Sequence, residues 1–374
     1  MHVSELSVRD FRSYDEATVH FVPGINVLIG SNGQGKTNLV EALSYLATFS
    51  SHRVASDVPL IKKDRAQAGV HVVLNDAGRE ITLDIEIHPG KTNKAKLNGS
   101  PLPKAREVLG ALLTVVFAPE DLNLVKGDPS ERRRFMDDTV TLLTPSYAGV
   151  RADFEKALKQ RNALLKSAYG RNNADIMRTL DVWDAQLARA GAQVMASRMS
   201  LISQLSPHVS QAYVTVSDDR GPFTITYETS LDVQAEVPTT DLLEAALLDA
   251  MSRRRKDEID RGITLVGPHR DELLLELRGL PVRGYASHGE SWSTALALKL
   301  GVFELLRQVS RHGDPVLILD DVFAELDEIR RRKLVEQVRT CEQTIVTAAV
   351  AADVPEDLAG ALFDVYEGTV NRVS

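Results

Sequence analysis

A chain of 374 residues, 43% hydrophobic and 26% charged, is long enough for a globular head plus an inserted lobe, and no stretch nears the ~20 apolar residues of a membrane span. A formal net charge of -8 argues against a protein that coats nucleic acid, although basic runs occur at Lys62-Lys63, Arg132-Arg133-Arg134, Arg253-Arg254-Arg255-Lys256 and Arg330-Arg331-Arg332-Lys333. The single cysteine, Cys341, excludes an internal disulfide, and Met1-His2-Val3-Ser4-Glu5 has no leader character, so the cytosol is the expected compartment.

The opening alternates as strands do. Val3, Leu6 and Val8 precede Phe11-Arg12, and Ala17, Val19 and Phe21 share another face. Pro23-Gly24 breaks the chain, and Ile25-Asn26-Val27-Leu28-Ile29 reads as a buried strand entering Gly30-Ser31-Asn32-Gly33-Gln34-Gly35-Lys36-Thr37. That octet fits G-x-x-x-x-G-K-[ST], and Leu39, Leu43 and Leu46 then repeat at helical spacing. Strand, glycine loop and helix together make a phosphate site, against which a chance glycine turn is the weaker reading. The backbone N–H groups and the helix N-terminus would face phosphate oxygens. Lys36 would reach the β- and γ-phosphates, and Thr37 would ligate Mg²⁺.

Further along, Ile81, Leu83, Ile85 and Ile87 alternate with polar residues as a half-exposed strand, and Asn98-Gly99 supplies a hairpin turn. Leu113 to Phe117 reads as a strand leading into Ala118-Pro119-Glu120-Asp121-Leu122. From about Ser146 the pattern becomes helical, with Val150, Phe154, Leu158 and Leu165 on one stripe. A heptad-like stripe follows at Ile176, Leu180, Trp183, Leu187, Ala190, Val194 and Leu201, after a reversal at Gly170-Arg171-Asn172-Asn173. An antiparallel arm packing this stripe on itself explains it better than a binding surface. Tyr213 to Val216 and Phe223 to Tyr227 read as short strands, and a helix starts near Asp241 and runs into Arg253.

The last third returns to mixed character. Leu273 to Leu277 and Leu280 to Val282 form a hairpin around Arg278-Gly279, and Ser293 to Leu306 is a helix. Val316-Leu317-Ile318-Leu319 is an apolar strand ending in Asp320-Asp321; a helix follows from about Asp327, and Thr344 to Thr347 is a strand. Asp320 suits the carboxylate that holds Mg²⁺, and Asp321 the group that orients or deprotonates an attacking water. Adjacent carboxylates repel, so the pair favours a divalent ion. Capping of the next helix is the alternative for either acid alone. Almost the whole chain separates the glycine loop from these acids, which excludes a compact small-GTPase layout.

Ala286-Ser287-His288-Gly289-Glu290 resembles the L-S-G-G-Q signature of ATP-binding-cassette ATPases, keeping Ser287 and Gly289, although a Ser/Gly turn capping a helix would look similar. Glu325-Leu326-Asp327 sits where those ATPases carry their D-loop. Taken with Asp10-Phe11-Arg12, Ser51-His52-Arg53, Phe117 to Gly127, Arg132 to Asp137, Trp183 to Leu187, Gly267-Pro268-His269-Arg270-Asp271 and Leu319 to Asp327, the chain resembles the bacterial RecF recombination and repair ATPases, relatives of the Rad50 and structural-maintenance-of-chromosomes heads.

The resemblance implies an α/β P-loop ATPase head of cassette type with an inserted helical, antiparallel coiled-coil-like arm. The head would comprise 1–128 and 259–374, and the arm 129–258. It implies ATP held by Gly30, Ser31, Asn32, Gly33, Gln34, Gly35, Lys36, Thr37 and Asn38, with Ser287 and Gly289 contributed by a second copy. Mg²⁺ would be held by Thr37 and Asp320, and catalysis carried by Asp321 and Lys36. His269 and Arg270 look functional by the same resemblance, with a salt-bridged loop as the alternative. The implied activity is ATP-dependent binding of gapped or single-strand/duplex junction DNA as a homodimer, promoting RecA loading with RecO and RecR. Arg132 to Arg134 or Arg253 to Lys256 would supply the DNA contact, although solvated helix faces are the ordinary meaning of such runs.

Two departures qualify the activity. The family's S-Q-G-Q-Q-R-T reads Ser287-His288-Gly289-Glu290-Ser291-Trp292-Ser293 here, which puts a carboxylate near the expected γ-phosphate unless Glu290 points away. Thr347 stands roughly where transporter-type cassettes place a switch histidine. Both imply slow hydrolysis that acts as a timer. A head serving a toxin–antitoxin or defence partner would be expected to carry an effector domain, and a transporter ATPase the full signature and the histidine.

Overall fold

A computed structural model of the chain describes residues 1–51, 53–54, 56–168, 174–217, 221–233 and 238–373. It contains two compact units: Met1–Lys126 with Pro207–Phe223 and Leu277–Ser374, and Gly127–Ser206 with Thr224–Glu276. Against the expected insertion of 129–258, the second unit extends to Glu276 and leaves 207–223 to the first. The reversal at Gly170-Arg171-Asn172-Asn173 and His52 lie outside the described residues.

The first unit is built on two six-stranded sheets. One runs in the order Tyr14–His20, His2–Phe11, Ala68–Asp76, Arg79–Ile87, Lys94–Leu97, Ser100–Pro101 and is antiparallel throughout. Its residues alternate, with Val70, Val72 and Leu74 buried, because only one face of the sheet meets the core. The other runs Thr369–Arg372, Ala361–Tyr366, Gly24–Ile29, Gln343–Ala348, Val316–Asp320, Thr114–Phe117. All its pairings are parallel except that of Thr369–Arg372. Val316–Asp320 and Gln343–Ala348 are buried at every position, as strands covered on both faces must be. The helix Lys36–Thr48 supplies Leu39, Leu43 and Leu46 to a core shared with Leu6, Phe11 and Val72 of the antiparallel sheet and Ile318 and Ile345 of the parallel one.

Parallel register aligns the C-terminal ends of three strands: Asp320 lies opposite Thr347, and Thr347 opposite Leu28. The loop after Ile29 and the acids after Leu319 therefore emerge side by side, at the edge where open α/β sheets bind ligands. The expected turns are present, with left-handed Asn98-Gly99 (φ 50° and 75°) and Arg278-Gly279 (φ 55° and 74°).

One expectation fails. Tyr213 to Val216 is not a strand but the end of the helix Ala174–Val216, which continues through Pro207. Its β-branched and aromatic residues suit a strand locally. Burial decides otherwise: Val209, Tyr213 and Val216 are fully buried at helical spacing, and the Tyr213 ring lies 5.1 Å from that of Phe223. Phe223–Glu228 is a strand as expected.

In the second unit, helix begins at Pro129–Leu143, earlier than the sequence pattern suggested. Tyr147–Ala168, the long helix as far as Ser206, and Thr240–Arg261 follow. Leu180, Leu187, Val194 and Leu201 of the expected stripe are buried. The same helix also buries two charged residues, Asp184 and Arg198. Arg161, fully buried, bridges Asp184 (2.6 Å) and Glu258 (2.6 Å) and donates to Thr264 Oγ1 (2.9 Å), so three helices meet at one guanidinium. Arg198 binds both oxygens of Asp137 (2.8 and 2.9 Å), which also accepts from Tyr147 Oη (2.6 Å).

Candidate active site

The glycine loop is held by backbone of the strand Gln343–Ala348 and of the turn that follows Tyr366. Gly30 N–H donates to Ala348 O (3.3 Å), and Gln34 N–H closes a turn on Ser31 O (3.2 Å). The Gln34 side chain accepts from Glu367 N–H at 2.7 Å. Gly35 precedes the helix at φ 109°, and a Cβ there would lie 2.6 Å from Tyr14 Oη, so both conformation and space require glycine. Space alone decides at Gly30, where a Cβ would meet the Val365 carbonyl at 2.2 Å.

Lys36 is buried and its Nζ donates to Gly30 O at 2.7 Å, which curls the ammonium back over the loop. Thr37 Oγ1 donates to Asp320 Oδ1 at 3.1 Å. Asn38 bridges Ser13 (2.9 Å) and Arg53 (3.1 Å). Behind the loop, buried Glu41 takes a bidentate pair from Arg12 (2.6 and 2.8 Å) and further bonds from Ser51 and Arg53. Burial alone would raise its carboxyl, but the Arg12 and Ser51 hydrogen bonds and the Arg12 and Arg53 charges hold it below the usual range.

Asp320 has a different environment. Thr347 Oγ1 donates to its Oδ1 at 2.6 Å and accepts from Asp321 N–H at 3.0 Å. Burial pushes the Asp320 carboxyl up to about 6; the Asp321 and Glu120 charges add to this, and the Thr347 and Thr37 hydrogen bonds oppose it. No Lys or Arg pairs with it among the described residues. Asp321 adopts the left-handed conformation (φ 51°, ψ 23°), which turns it out of the strand. It lines a cavity of about 240 Å³ with Asn32, Pro119, Glu325, Thr347 and Asp353. A hydroxyl and an uncompensated carboxylate 3.1 Å apart at a helix N-terminus are an oxygen donor set that fits Mg²⁺, which takes few protein ligands beside phosphate and water.

The structure thus brings the glycine loop, Lys36, Thr37, Asp320 and Asp321 together. Ser287 and Gly289 are not joined to them by any hydrogen bond among the described residues. Ser287 caps the helix His288–Val309: its Oγ accepts from Glu290 N–H (3.2 Å), while the Glu290 carboxylate accepts from Ser287 N–H (2.8 Å). Glu290 also pairs with Arg278 at 3.2 Å, so the unusual carboxylate of the signature is occupied and partly neutralised. Arg330 lies against Gly289, donates to Ser293 Oγ (2.8 Å) and pairs with Asp327, the N-cap of the helix Glu328–Val338.

The basic runs are largely occupied. Arg132 is buried and bidentate on Glu272 (2.7 and 2.8 Å), and Arg133 donates to Asp271 O (2.9 Å). Arg255 binds Asp181 (2.6 Å) and Asp184, whereas Arg253 and Arg254 are exposed beside Asp249 and Asp257. His269 and Arg270 (3.0 Å) both turn to Thr264 O, which makes them anchors of their own loop, and burial pushes His269 down to about 4. Sequence reasoning placed Thr347 where a switch histidine would stand but missed its bond to Asp320, and it passed over Glu41. Thr347 meets Asp320 only through strand pairing, but Glu41, an acid on the buried face of the helix beside Leu39 and Leu43, was a readable anomaly.

Residues 2–366 match the family model described as RecF/RecN/SMC N terminal domain. The chain is 51% identical over 378 residues to the DNA replication and repair protein RecF of Streptomyces avermitilis, covering all of both. It superposes with a TM-score of 0.89 and 29% identity on the solved recombination mediator protein RecF with ATP of the RecFOR pathway, over 100% of this chain and 98% of that one. The Smc head domain of Pyrococcus furiosus shares the fold, with a TM-score of 0.55 and 17% identity over 100% and 96% of the two chains.

Proposed function

The chain belongs to the RecF/RecN/SMC N-terminal domain family as a RecF-type ATPase, and from that premise we propose that it is an ATP- and Mg²⁺-dependent DNA-binding switch of recombinational repair. It would recognise gapped or single-strand/duplex junction DNA in the cytoplasm and act with RecO and RecR to promote RecA loading. The observation that carries this reading is the meeting of Thr37 with Asp320 at the mouth of the glycine loop, in a chain alike to RecF over its whole length.

The loop N–H groups bind the phosphates, and Lys36 turns from Gly30 O to the β- and γ-oxygens. Thr37 and Asp320 hold the metal, which when bound neutralises phosphate charge. Asp321, facing the cavity, orients water and accepts its proton. Ser287 is exposed at the N-terminus of a 22-residue helix, and we assign its N–H groups to the nucleotide of a second copy. The engagement of Glu290 by Ser287 N–H and Arg278 lessens its expected burden on the γ-phosphate, and the lack of a histidine at Thr347 supports slow turnover, with closure gripping DNA and hydrolysis releasing it. In this reading the first compact unit is the head and the second is the arm, so the expected bounds of 1–128 and 259–374 for the head and 129–258 for the arm give way to those of the units. Exposed Arg253 and Arg254 are the better DNA candidates, since Arg132 is committed to Glu272.

Electrophoretic shift of gapped DNA with and without ATP tests the function: an ATP-dependent shift that weakens steeply with salt is expected, and binding indifferent to ATP would overturn it. Shared sites are tested by mixing. Lys36→Ala and Ser287→Arg should each be inactive, and an equal mixture should regain roughly a quarter of native hydrolysis, because mixed dimers keep one intact site. A Ser287→Arg monomer that hydrolyses ATP normally would overturn the sharing.

A further inference from the structure

We infer that Thr347 is the positioning residue of the metal site: its hydroxyl fixes the Asp320 carboxylate and the backbone of Asp321 at the same time. The inference rests on the nucleotide-site reading above and concerns a residue to which that reading gives no role.

A threonine hydroxyl has one hydrogen. In Thr347 the oxygen accepts from Asp321 N–H at 3.0 Å, so its hydrogen is directed to Asp320 Oδ1, 2.6 Å away. The chain Asp321 N–H to Thr347 to Asp320 therefore has a fixed sense, and the bond it delivers is charge-assisted. Thr347 is 1% exposed and sits mid-sheet opposite Asp320, so the hydroxyl cannot swing away to water.

Two consequences follow. First, Thr37 and Thr347 both donate to Oδ1, so Oδ2 takes no protein donor among the described residues and stays available to a metal ion or its water. Without Thr347 the carboxylate is free to rotate about its Cβ–Cγ bond, and either oxygen could take the Thr37 hydroxyl. Second, Asp321 occupies left-handed backbone that an L-residue leaves readily. Its N–H is tied to Thr347, which holds the turn that sends Asp321 toward the cavity. A single hydroxyl on the neighbouring strand thus sets both acids. Partners of this kind, one bond removed from the ion, govern metal affinity by about 10–100-fold.

The test is a Mg²⁺ titration of the binding of a fluorescent ATP analogue to the full chain, beside binding in EDTA. Thr347→Val keeps the shape and removes both bonds; Thr347→Ser keeps the hydroxyl; Thr347→Ala guards against a Val variant that fails to fold. For Val and Ala the Mg²⁺ midpoint should rise about tenfold with EDTA binding within about twofold of native, whereas Ser should stay within about twofold in both. A role in packing alone would weaken binding in EDTA as well. An unshifted midpoint in Val or Ala, or a tenfold shift in Ser, overturns the inference. A native chain that binds no nucleotide overturns the site reading and this inference together, whereas native binding with a native-like Val or Ala response overturns this inference alone.

Discussion

In the second unit three buried carboxylates, those of Glu258, Asp184 and Asp137, lie 2.6, 2.6 and 2.8 Å from a guanidinium, whereas in the first unit Asp320 is buried beside two hydroxyls and no cation. Glu41, a few residues past the glycine loop, follows the pattern of the second unit by taking Arg12. Burial is therefore not what distinguishes Asp320. A buried acid given its own arginine is a structural joint. Asp271 of the second unit also accepts from a hydroxyl, that of Tyr227, and has no ion pair among the described residues, so it is the place of Asp320 beside the glycine loop that leaves its charge to a cation from outside.

The sharpest way to break this contrast is to remove a cation from the compensated cluster. Arg161→Ala leaves Glu258 and Asp184 buried without their partner and should cost about 3–5 kcal/mol in urea unfolding. A loss below about 1 kcal/mol would show that water replaces the guanidinium, and the two clusters would then not differ in kind.

Removing the acid should give opposite signs in the two units. Glu258→Gln leaves Arg161 to the carboxylate of Asp184 alone and should destabilise, whereas Asp320→Asn should stabilise the Mg²⁺-free protein at pH 7.5 by about 1–3 kcal/mol. The sign follows from the raised pKa. The folded state prefers Asp320 protonated, so the penalty for its charge grows as pH rises through about 6 and is absent below the ordinary carboxylate range. The advantage of Asn should therefore vanish near pH 4 and reverse when Mg²⁺ and ATP are added. Melting temperatures across that pH range check both statements.

Exposure supplies the smallest effect. Arg253 belongs to the second unit, as Arg161 does, but its side chain is 69% exposed, and Arg253→Ala should change stability by less than about 0.5 kcal/mol. Reversing Arg253 and Arg254 to Glu should instead lower the salt dependence of DNA binding. An unchanged slope would remove this face from the DNA surface.

What was legible in the sequence had a local pattern. The glycine loop, the acid strand, the alternation at Ile81 to Ile87 and the stripe through Leu180 and Leu201 each fit inside one element. What was hidden depended on partners far along the chain. Arg132 read as an exposed basic run because Glu272, which buries it, lies 140 residues away. Thr347 read as a missing histidine because its meaning comes from Asp320 on the next strand. Tyr213 to Val216 read as a strand because local composition outvoted a helical burial pattern that begins upstream at Val209.

The Gln34–Glu367 hydrogen bond has a further consequence, in the order of biosynthesis. Its partners are 333 residues apart, and Thr37 and Asp320 are 283 apart, so the loop is made long before anything that completes it. At ~5–20 residues per second, translation keeps the loop waiting on the order of 15–65 s. During that interval its helix must bury Leu39, Leu43 and Leu46 against whatever has already emerged. The antiparallel strands from His2 to Pro101 are available then, and they share the core those leucines join. The antiparallel sheet thus offers the unfinished nucleotide site a surface to pack on before the strand ending at Tyr366 is added beside the loop.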